Sequence, residues 1–123
     1  MSTTHPAPAR SPITTHVLDT HRGRPAAGVT VVLEQMIAGG PWMERGRGAT
    51  DSDGRADGLL VPGSRAEPGI YRLVFDTGAY FAAQHVAAFY PSVSVTFEIV
   101  RAEEHHHVPL LLAAHGYTTY RGS

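Results

Sequence analysis

The residues of this sequence that could take part in catalysis are histidines and an arginine in three separated places. His16 lies in an apolar run near the amino end, Arg55 follows an Asp-Gly turn, and three consecutive histidines, 105–107, open a later apolar run. Imidazole accepts and donates protons near neutral pH, and a guanidinium stabilises negative charge. Because side chains alternate between the faces of a strand, His105 and His107 are predicted to share one face.

Two other interpretations of these histidines stay open on residue types alone. A His-x-His pair on a strand is a common metal-ligand arrangement, and His16 could join His105 and His107 as three protein ligands with water in the fourth position. Adjacent histidines can also form the solvated end of a strand without any function.

The Asp-x-Asp-Gly before Arg55 is similar to the start of a calcium loop, but a bidentate Glu is missing downstream, so a tight turn between strands is predicted.

Composition excludes several classes of function. The 123 residues include no cysteine, and all ten basic residues are arginine, so thiolate nucleophiles, Cys-type zinc sites and Schiff-base lysines are excluded within the sequence. The formal net charge of -1 offers no basic field to attract a nucleic acid. No apolar run approaches the roughly 20 residues of a membrane helix, so we expect no membrane partner and a cytoplasmic location.

Short apolar runs separated by turn residues must position the candidate side chains. Glycine, proline and aspartate clusters separate these runs, which is typical of strands, and their number suggests an all-β sandwich. In the run at 93–100, Val93, Val95, Phe97 and Ile99 alternate with mostly polar residues, which predicts one face toward a core. The predicted strands are 13–19, 29–36, 42–46, 69–76, 93–100, 105–112 and 117–120.

Two segments depart from the strand pattern. Residues 77–87 are alanine-rich, and Thr77 could cap a short helix that Pro91 prevents from continuing. Residues 1–12 contain three prolines and little to bury, so they are predicted to form a flexible leader. The remaining residues, 13–123, are predicted to form one domain.

Several motifs together resemble the 5-hydroxyisourate hydrolases of the transthyretin-related family. The terminal Tyr-Arg-Gly-Ser is the most specific of them, because it lies at the carboxyl end, where the hydrolases carry it and true transthyretins do not. Before it, Ala113-Ala114-His115 departs from the more usual Ser-Pro-x. The motifs that carry the resemblance are ITTHVLD at 13–19, TDSDGR at 50–55, FYP at 89–91, HHHVPLLL at 105–112 and GYTTYRGS at 116–123.

The resemblance implies a fold, an assembly and a site. The implied fold is the transthyretin-like sandwich of facing antiparallel sheets with one short helix, and the implied assembly is a homotetramer built as a dimer of dimers, with active sites in the channel between dimers. The implied catalytic positions are His16, Arg55, His107 and Ser123, and the implied substrate-binding positions are Tyr120, Arg121 and Gly122.

The resemblance also implies hydrolysis of 5-hydroxyisourate, in which water opens a ring amide to give a ureidoimidazoline carboxylate in urate breakdown, without metal or organic cofactor. An imidazole would take a proton from the water, and Arg55 would stabilise charge on the oxygen or bind the anionic substrate. Either His16 or His107 could be the base, and Ser123 would orient substrate or water. The alternative is a noncatalytic transthyretin-like protein that binds a small ligand.

Overall fold

The alternation of apolar and polar residues produces regular secondary structure that is almost wholly β-strand. A computed structural model describes residues 10–123, which form nine strands and one helix. No helix in this part of the chain has the length and apolar character needed to cross a membrane. The elements are β1 (Ile13–Asp19), β2 (Arg24–Pro25), β3 (Thr30–Met36), β4 (Trp42–Ala49), β5 (Arg55–Ala56), β6 (Gly69–Phe75), α1 (Thr77–Ala82), β7 (Val93–Ile99), β8 (His106–Ala113) and β9 (Gly116–Thr119).

The strands of residues 10–123 pair into two sheets, which confirms the predicted sandwich with one short helix. The first sheet has the order β2-β1-β8-β9, with β5 also pairing with β1, and the second has the order β4-β3-β6-β7. The pairs are antiparallel except that β1 and β8 run parallel. Because parallel neighbours require a long connection, the whole second sheet is built from the chain between them.

The core lies between the sheets and takes alternate side chains from their strands. Leu33 of β3, Leu73 of β6 and Leu110 of β8 are fully buried, and burying each such side chain contributes roughly 1.5–3 kcal/mol. The alternation predicted for β7 is confirmed, since its apolar residues are more buried than the polar residues between them. On β1 and β8 the same alternation leaves the other side chains on the outer face of the first sheet.

The helix forms where the sequence predicts one, but its cap is different. The side chain of Asp76, rather than that of Thr77, accepts a hydrogen bond from the Ala79 amide at 3.2 Å, so the prediction of Thr77 as the cap is wrong. Thr77 is the first helical residue and is buried. The helix ends at Ala82, within the predicted segment, and His85 beyond it has a left-handed backbone with a φ of 58°.

Several predicted boundaries shift. The strand predicted at 42–46 continues to Ala49, and the strand predicted from His105 begins at His106. The two-residue strands β2 and β5 were not predicted, because so short a run has no periodicity.

Of the predicted leader, residues 1–9 lie outside the described residues, whereas Ser11 is fully buried and its hydroxyl donates to the Ile13 carbonyl at 2.7 Å.

Candidate active site

The parallel pairing of β1 with β8 brings the two predicted histidine positions to neighbouring strands. Thr14 lies opposite His107, and His16 lies opposite Pro109, in the register of this pair. Thr14 and His16 are two residues apart on β1, so they share the outer face of the first sheet, while Val17 next to them is fully buried in the core. The apolar residues of both strands therefore fix where these polar side chains stand.

A tight turn delivers Arg55 to the same place. The Asp51 carboxylate accepts hydrogen bonds from the Asp53 amide at 2.9 Å and the Arg55 amide at 3.0 Å. The Arg55 bond, the larger cause, and the Asp53 bond lower the pKa of Asp51 and so stabilise its charged form. Gly54 has a φ of 77°, and an added Cβ would lie 2.4 Å from the Val17 carbonyl oxygen, so this turn requires glycine.

His16 is held by the same turn. Arg55 of β5 is the direct cross-strand partner of His16. The His16 Nε2 lies 2.8 Å from the Asp53 carbonyl oxygen. Since a carbonyl oxygen only accepts, Nε2 carries the hydrogen and donates it, which leaves Nδ1 as the basic nitrogen when the ring is neutral. The turn thus fixes both the orientation and the tautomer of His16.

A cavity of about 170 Å³ on the outer face gathers three of the four predicted catalytic residues. Arg55, His107 and Ser123 line it. His16 is not among its lining residues, although its charge lies close enough to affect His107. The other lining residues are Arg10, Thr14, Asp57 and His105.

The two outward-facing histidines are stacked, which confirms that His105 and His107 share a face. Their ring centroids are 6.3 Å apart and their planes differ by 16°. The Thr14 hydroxyl oxygen lies 3.0 Å from His105 Nε2 and 2.8 Å from His107 Nδ1. Thr14 was not singled out in the sequence, although its i, i+2 spacing from His16 places it on the same strand face.

Burial lowers the pKa of both His105 and His107 and so favours their neutral forms. Burial is the largest cause that lowers the pKa of His107, followed by the positive charge of Arg55 and then that of His16. Burial also lowers the pKa of His105, with Arg10 as the next cause. The ordinary pKa of a histidine is 6.5, and both rings therefore stay uncharged to a lower pH than an exposed histidine does. A neutral imidazole is the form that can accept a proton.

The carboxyl-terminal residues dock against His107. The Gly122 amide donates to the His107 carbonyl at 2.8 Å and forms an isolated antiparallel bridge with it. A Cβ on Gly122 would lie 2.6 Å from His107 Cδ2 and 3.2 Å from Pro109 Cγ, so the docked position has no room for a larger residue. This bridge carries Ser123 into the cavity with Arg55 and His107.

Tyr120 and Arg121 lie beside a second cavity. This cavity, of about 150 Å³, is also lined by Phe97, by His107, which lines the first cavity as well, and by His106, a buried residue whose side chain faces the core. The Arg121 guanidinium donates to the Glu104 carboxylate at 3.0 Å. Within the single chain, the predicted substrate-binding residues Tyr120 and Arg121 therefore line a different cavity from Ser123.

The alternative interpretation of the histidines as metal ligands has no counterpart in the geometry of the described residues. Among residues 10–123, no group of three or more histidine, aspartate, glutamate or cysteine side chains is placed to hold a metal ion. His105 and His107 instead direct one ring nitrogen each to the Thr14 hydroxyl, and His16 directs Nε2 to a backbone carbonyl.

The sheet order and the outer-face site define a transthyretin-like sandwich. The sequence model of the HIUase/Transthyretin family matches residues 13–122. This chain belongs to that family.

Known proteins of this fold include both hydrolases and transthyretins. The 5-hydroxyisourate hydrolase of Mus musculus is 48% identical over 114 residues, which are 92% of this chain and 96% of that protein. The solved 5-hydroxyisourate hydrolase of Klebsiella pneumoniae is 34% identical with a TM-score of 0.78, over 94% of this chain and 99% of that one. Sea bream transthyretin in complex with thyroxine is 32% identical with a TM-score of 0.84, over 91% and 95%.

Proposed function

We propose that this protein hydrolyses 5-hydroxyisourate to 2-oxo-4-hydroxy-4-carboxy-5-ureidoimidazoline in urate breakdown, with His107 as the general base. The observation that carries the proposal is the cavity in which Arg55, His107 and Ser123 meet. The similarity to the 5-hydroxyisourate hydrolase of Mus musculus is the reason for proposing this substrate. A base, a cation and an orienting group are the parts that hydrolysis of a ring amide needs.

The geometry favours His107 over His16 as the base. His107 lines the cavity, its Nδ1 is engaged by Thr14, and its Nε2 makes no hydrogen bond to any residue within 10–123. Burial and the nearby Arg55 lower its pKa, so the ring is neutral at pH 7. His16 also keeps one ring nitrogen, Nδ1, free to accept a proton, but His16 is not a lining residue of the cavity. We assign His16 to orientation and electrostatic support.

Hydrolysis then proceeds by a balanced set of proton and bond changes. His107 Nε2 takes a proton from water while the water oxygen bonds to the carbonyl carbon of the ring amide. The carbon–nitrogen bond breaks, and the imidazolium returns its proton to the departing nitrogen. Arg55 stabilises the negative charge on the carbonyl oxygen, and Ser123 orients water or substrate. A positioned base contributes about 10²- to 10⁴-fold, and none of these steps requires a metal or organic cofactor.

We further propose that the active protein is a homotetramer, a dimer of dimers. Two observations support this assembly. β7 and β9 each lie at one end of their sheet's strand order, and a free strand edge can pair with a second copy. The cavity is open at the surface, and a second chain could enclose it. Sedimentation should give a tetramer, and a fully active monomer would contradict the proposal.

The cytoplasmic location of the protein stays a prediction.

The ultraviolet absorbance of freshly generated 5-hydroxyisourate tests the activity directly. The protein should accelerate the loss of this absorbance, and His107→Ala and Arg55→Ala should reduce kcat/KM by roughly 10²-fold or more. His85→Asn is the matched control, because His85 is exposed in the loop after α1 and asparagine tolerates its left-handed backbone. A protein that binds the substrate without hastening its loss would be the carrier of the alternative hypothesis.

A further inference from the structure

A buried threonine hydroxyl joins the two stacked histidines of the site. Thr14 is only 4% exposed, and its Oγ1 lies 2.8 Å from His107 Nδ1 and 3.0 Å from His105 Nε2. Both distances are those of direct hydrogen bonds. The hydroxyl therefore has its polar contacts inside the site rather than with the backbone, unlike Thr15, whose hydroxyl donates to the Val108 carbonyl at 2.6 Å.

The hydroxyl carries one hydrogen, which restricts the protons on both rings. It can donate to only one imidazole and must accept from the other. If it donates to His107, the neutral ring has its hydrogen on Nε2 and offers no base to the cavity. If it donates to His105 Nε2, His107 donates Nδ1–H to Oγ1 and keeps Nε2 bare. An arrangement in which both rings donate leaves a buried hydroxyl hydrogen without an acceptor, which is unfavourable.

We propose that Thr14 and His105 are positioning residues that hold His107 in the tautomer with a bare Nε2. The directed chain runs from His107 Nδ1–H to Thr14 Oγ1 and from the Thr14 hydroxyl to His105 Nε2. This inference rests on the proposed function, because a bare Nε2 matters only if His107 takes a proton from water. It assigns a role to Thr14 and to His105, neither of which the hydrolytic steps use.

The same arrangement is compatible with the protonated state of the reaction. When His107 Nε2 gains a proton, Nδ1–H continues to donate to Thr14, so no hydrogen bond has to be rebuilt. Keeping polar groups in place in this way lowers the reorganisation needed during catalysis. Besides His105, the titratable and charged groups that act on His107 are Arg55, His16, Asp57 and Arg10.

Thr14→Val tests the hydroxyl without changing the size of the side chain. We expect kcat to fall roughly 10-fold or more with KM changed little, since substrate contacts remain while part of a base contribution of about 10²- to 10⁴-fold is lost. Thr14→Ser, which restores the hydroxyl, should recover most of kcat. Thr15→Val is the matched control on the same strand: it removes an equally buried hydroxyl and should lower the melting temperature without the loss in kcat.

A pair of variants at His105 tests the acceptor. His105→Gln offers an amide oxygen to the Thr14 hydroxyl, whereas His105→Phe offers none, so the Phe variant should lose more kcat than the Gln variant. Equal losses would overturn the role of His105 as an acceptor. Unchanged kcat in folded Thr14→Val would overturn the role of the hydroxyl.

Nitrogen NMR of the imidazole rings reads the tautomer without any turnover. At a pH where the ring is neutral, His107 should carry its hydrogen on Nδ1 in the wild type, and Thr14→Val should shift the ring toward a mixture of tautomers. A wild-type enzyme that hydrolyses 5-hydroxyisourate with His107 protonated on Nε2 would overturn this inference and the assignment of His107 as the base, and would leave the proposed hydrolysis standing. A wild-type protein without hydrolytic activity would overturn both.

Discussion

Gly122 provides a sharp test of whether the docked carboxyl terminus belongs to the working site. Gly122→Ala adds a Cβ that would lie 2.6 Å from His107 Cδ2 in the docked position. Real Cβ contacts essentially never come this close, so either the His107 ring or the terminus must move. The ring is held through Nδ1 by Thr14, whereas Gly122 is held by a single isolated bridge to the His107 backbone. We therefore expect the terminus to leave its place.

The size of the effect follows from the competing contributions. Overpacking by one methyl group costs roughly 1–3 kcal/mol. The backbone hydrogen bond from Gly122 to His107 contributes about 1 kcal/mol, and the exposed ion pair of Arg121 with Glu104 contributes little. Docking is then favoured only about 5-fold, so at 1.4 kcal/mol per factor of ten this strain lowers the docked fraction by roughly 2- to 25-fold, and kcat/KM should fall by the same factor.

The assay is the initial rate on fresh 5-hydroxyisourate, combined with thermal melting. Because an undocked terminus releases the strain, the melting temperature of Gly122→Ala should stay near that of the wild type. Gly116→Ala is the matched control, since a Cβ at Gly116 meets nothing within 4 Å. If Gly122→Ala keeps the full kcat/KM, the terminus is not seated on His107 during catalysis and the reasoning is refuted.

Three further predictions follow from the same site. A chain that ends at Thr119 should melt near the wild-type temperature but lose most of its activity, and full activity in a tetrameric truncated protein would refute the placement of the terminus. The acid limb of kcat/KM should lie below pH 6.5, because burial and then the charge of Arg55 lower the pKa of His107. Arg55→Gln should move the midpoint of this limb to higher pH. An unmoved midpoint would show that Arg55 does not act on the pKa of His107. Exhaustive chelation should leave the rate unchanged, and a loss restored by zinc would contradict the metal-free mechanism.

Folding stability should also fall with acid. Burial lowers the folded-state pKa of His105, His106 and His107 below the ordinary 6.5, so the unfolded chain binds protons first as the pH falls. Their contribution is complete above pH 6.5 and is lost as the pH falls from there through the folded-state values. Denaturant unfolding at several pH values measures this slope. A free energy of unfolding that rises between pH 6.5 and 5 would contradict it.

The strands could be predicted because their signal is local. Alternation in β7 and the apolar runs of β1, β3 and β8 identify the core faces directly from the sequence. The parallel pairing of β1 with β8 has no such local signal, since it depends on how the chain between them folds. The helix cap at Asp76 was missed for a related reason: Asp76 and Thr77 are both good caps, and packing buries Thr77 inside the first turn.

The candidate site was predictable as a set of residue types, but its connections were not. The resemblance named His107, Arg55 and Ser123, which meet in one cavity. It gave no reason to expect Thr14 between two imidazoles or a backbone carbonyl on His16, because such contacts depend on register. It also grouped Tyr120 with Ser123; within the single chain these residues line two cavities that have His107 in common.

Register links the stability of the first sheet to its chemistry. A slip of one residue between β1 and β8 would take Thr14 away from His107 and would also expose Leu110, which is fully buried. The apolar residues that hold β8 in the core therefore also hold His107 beside Thr14. The terminus lies outside this constraint and can change with little effect on the core, whereas the Asp51–Arg55 turn is tied to β1 through Gly54. Substitutions in the terminus should thus separate rate from stability, whereas substitutions in the core face of β8 should change both together.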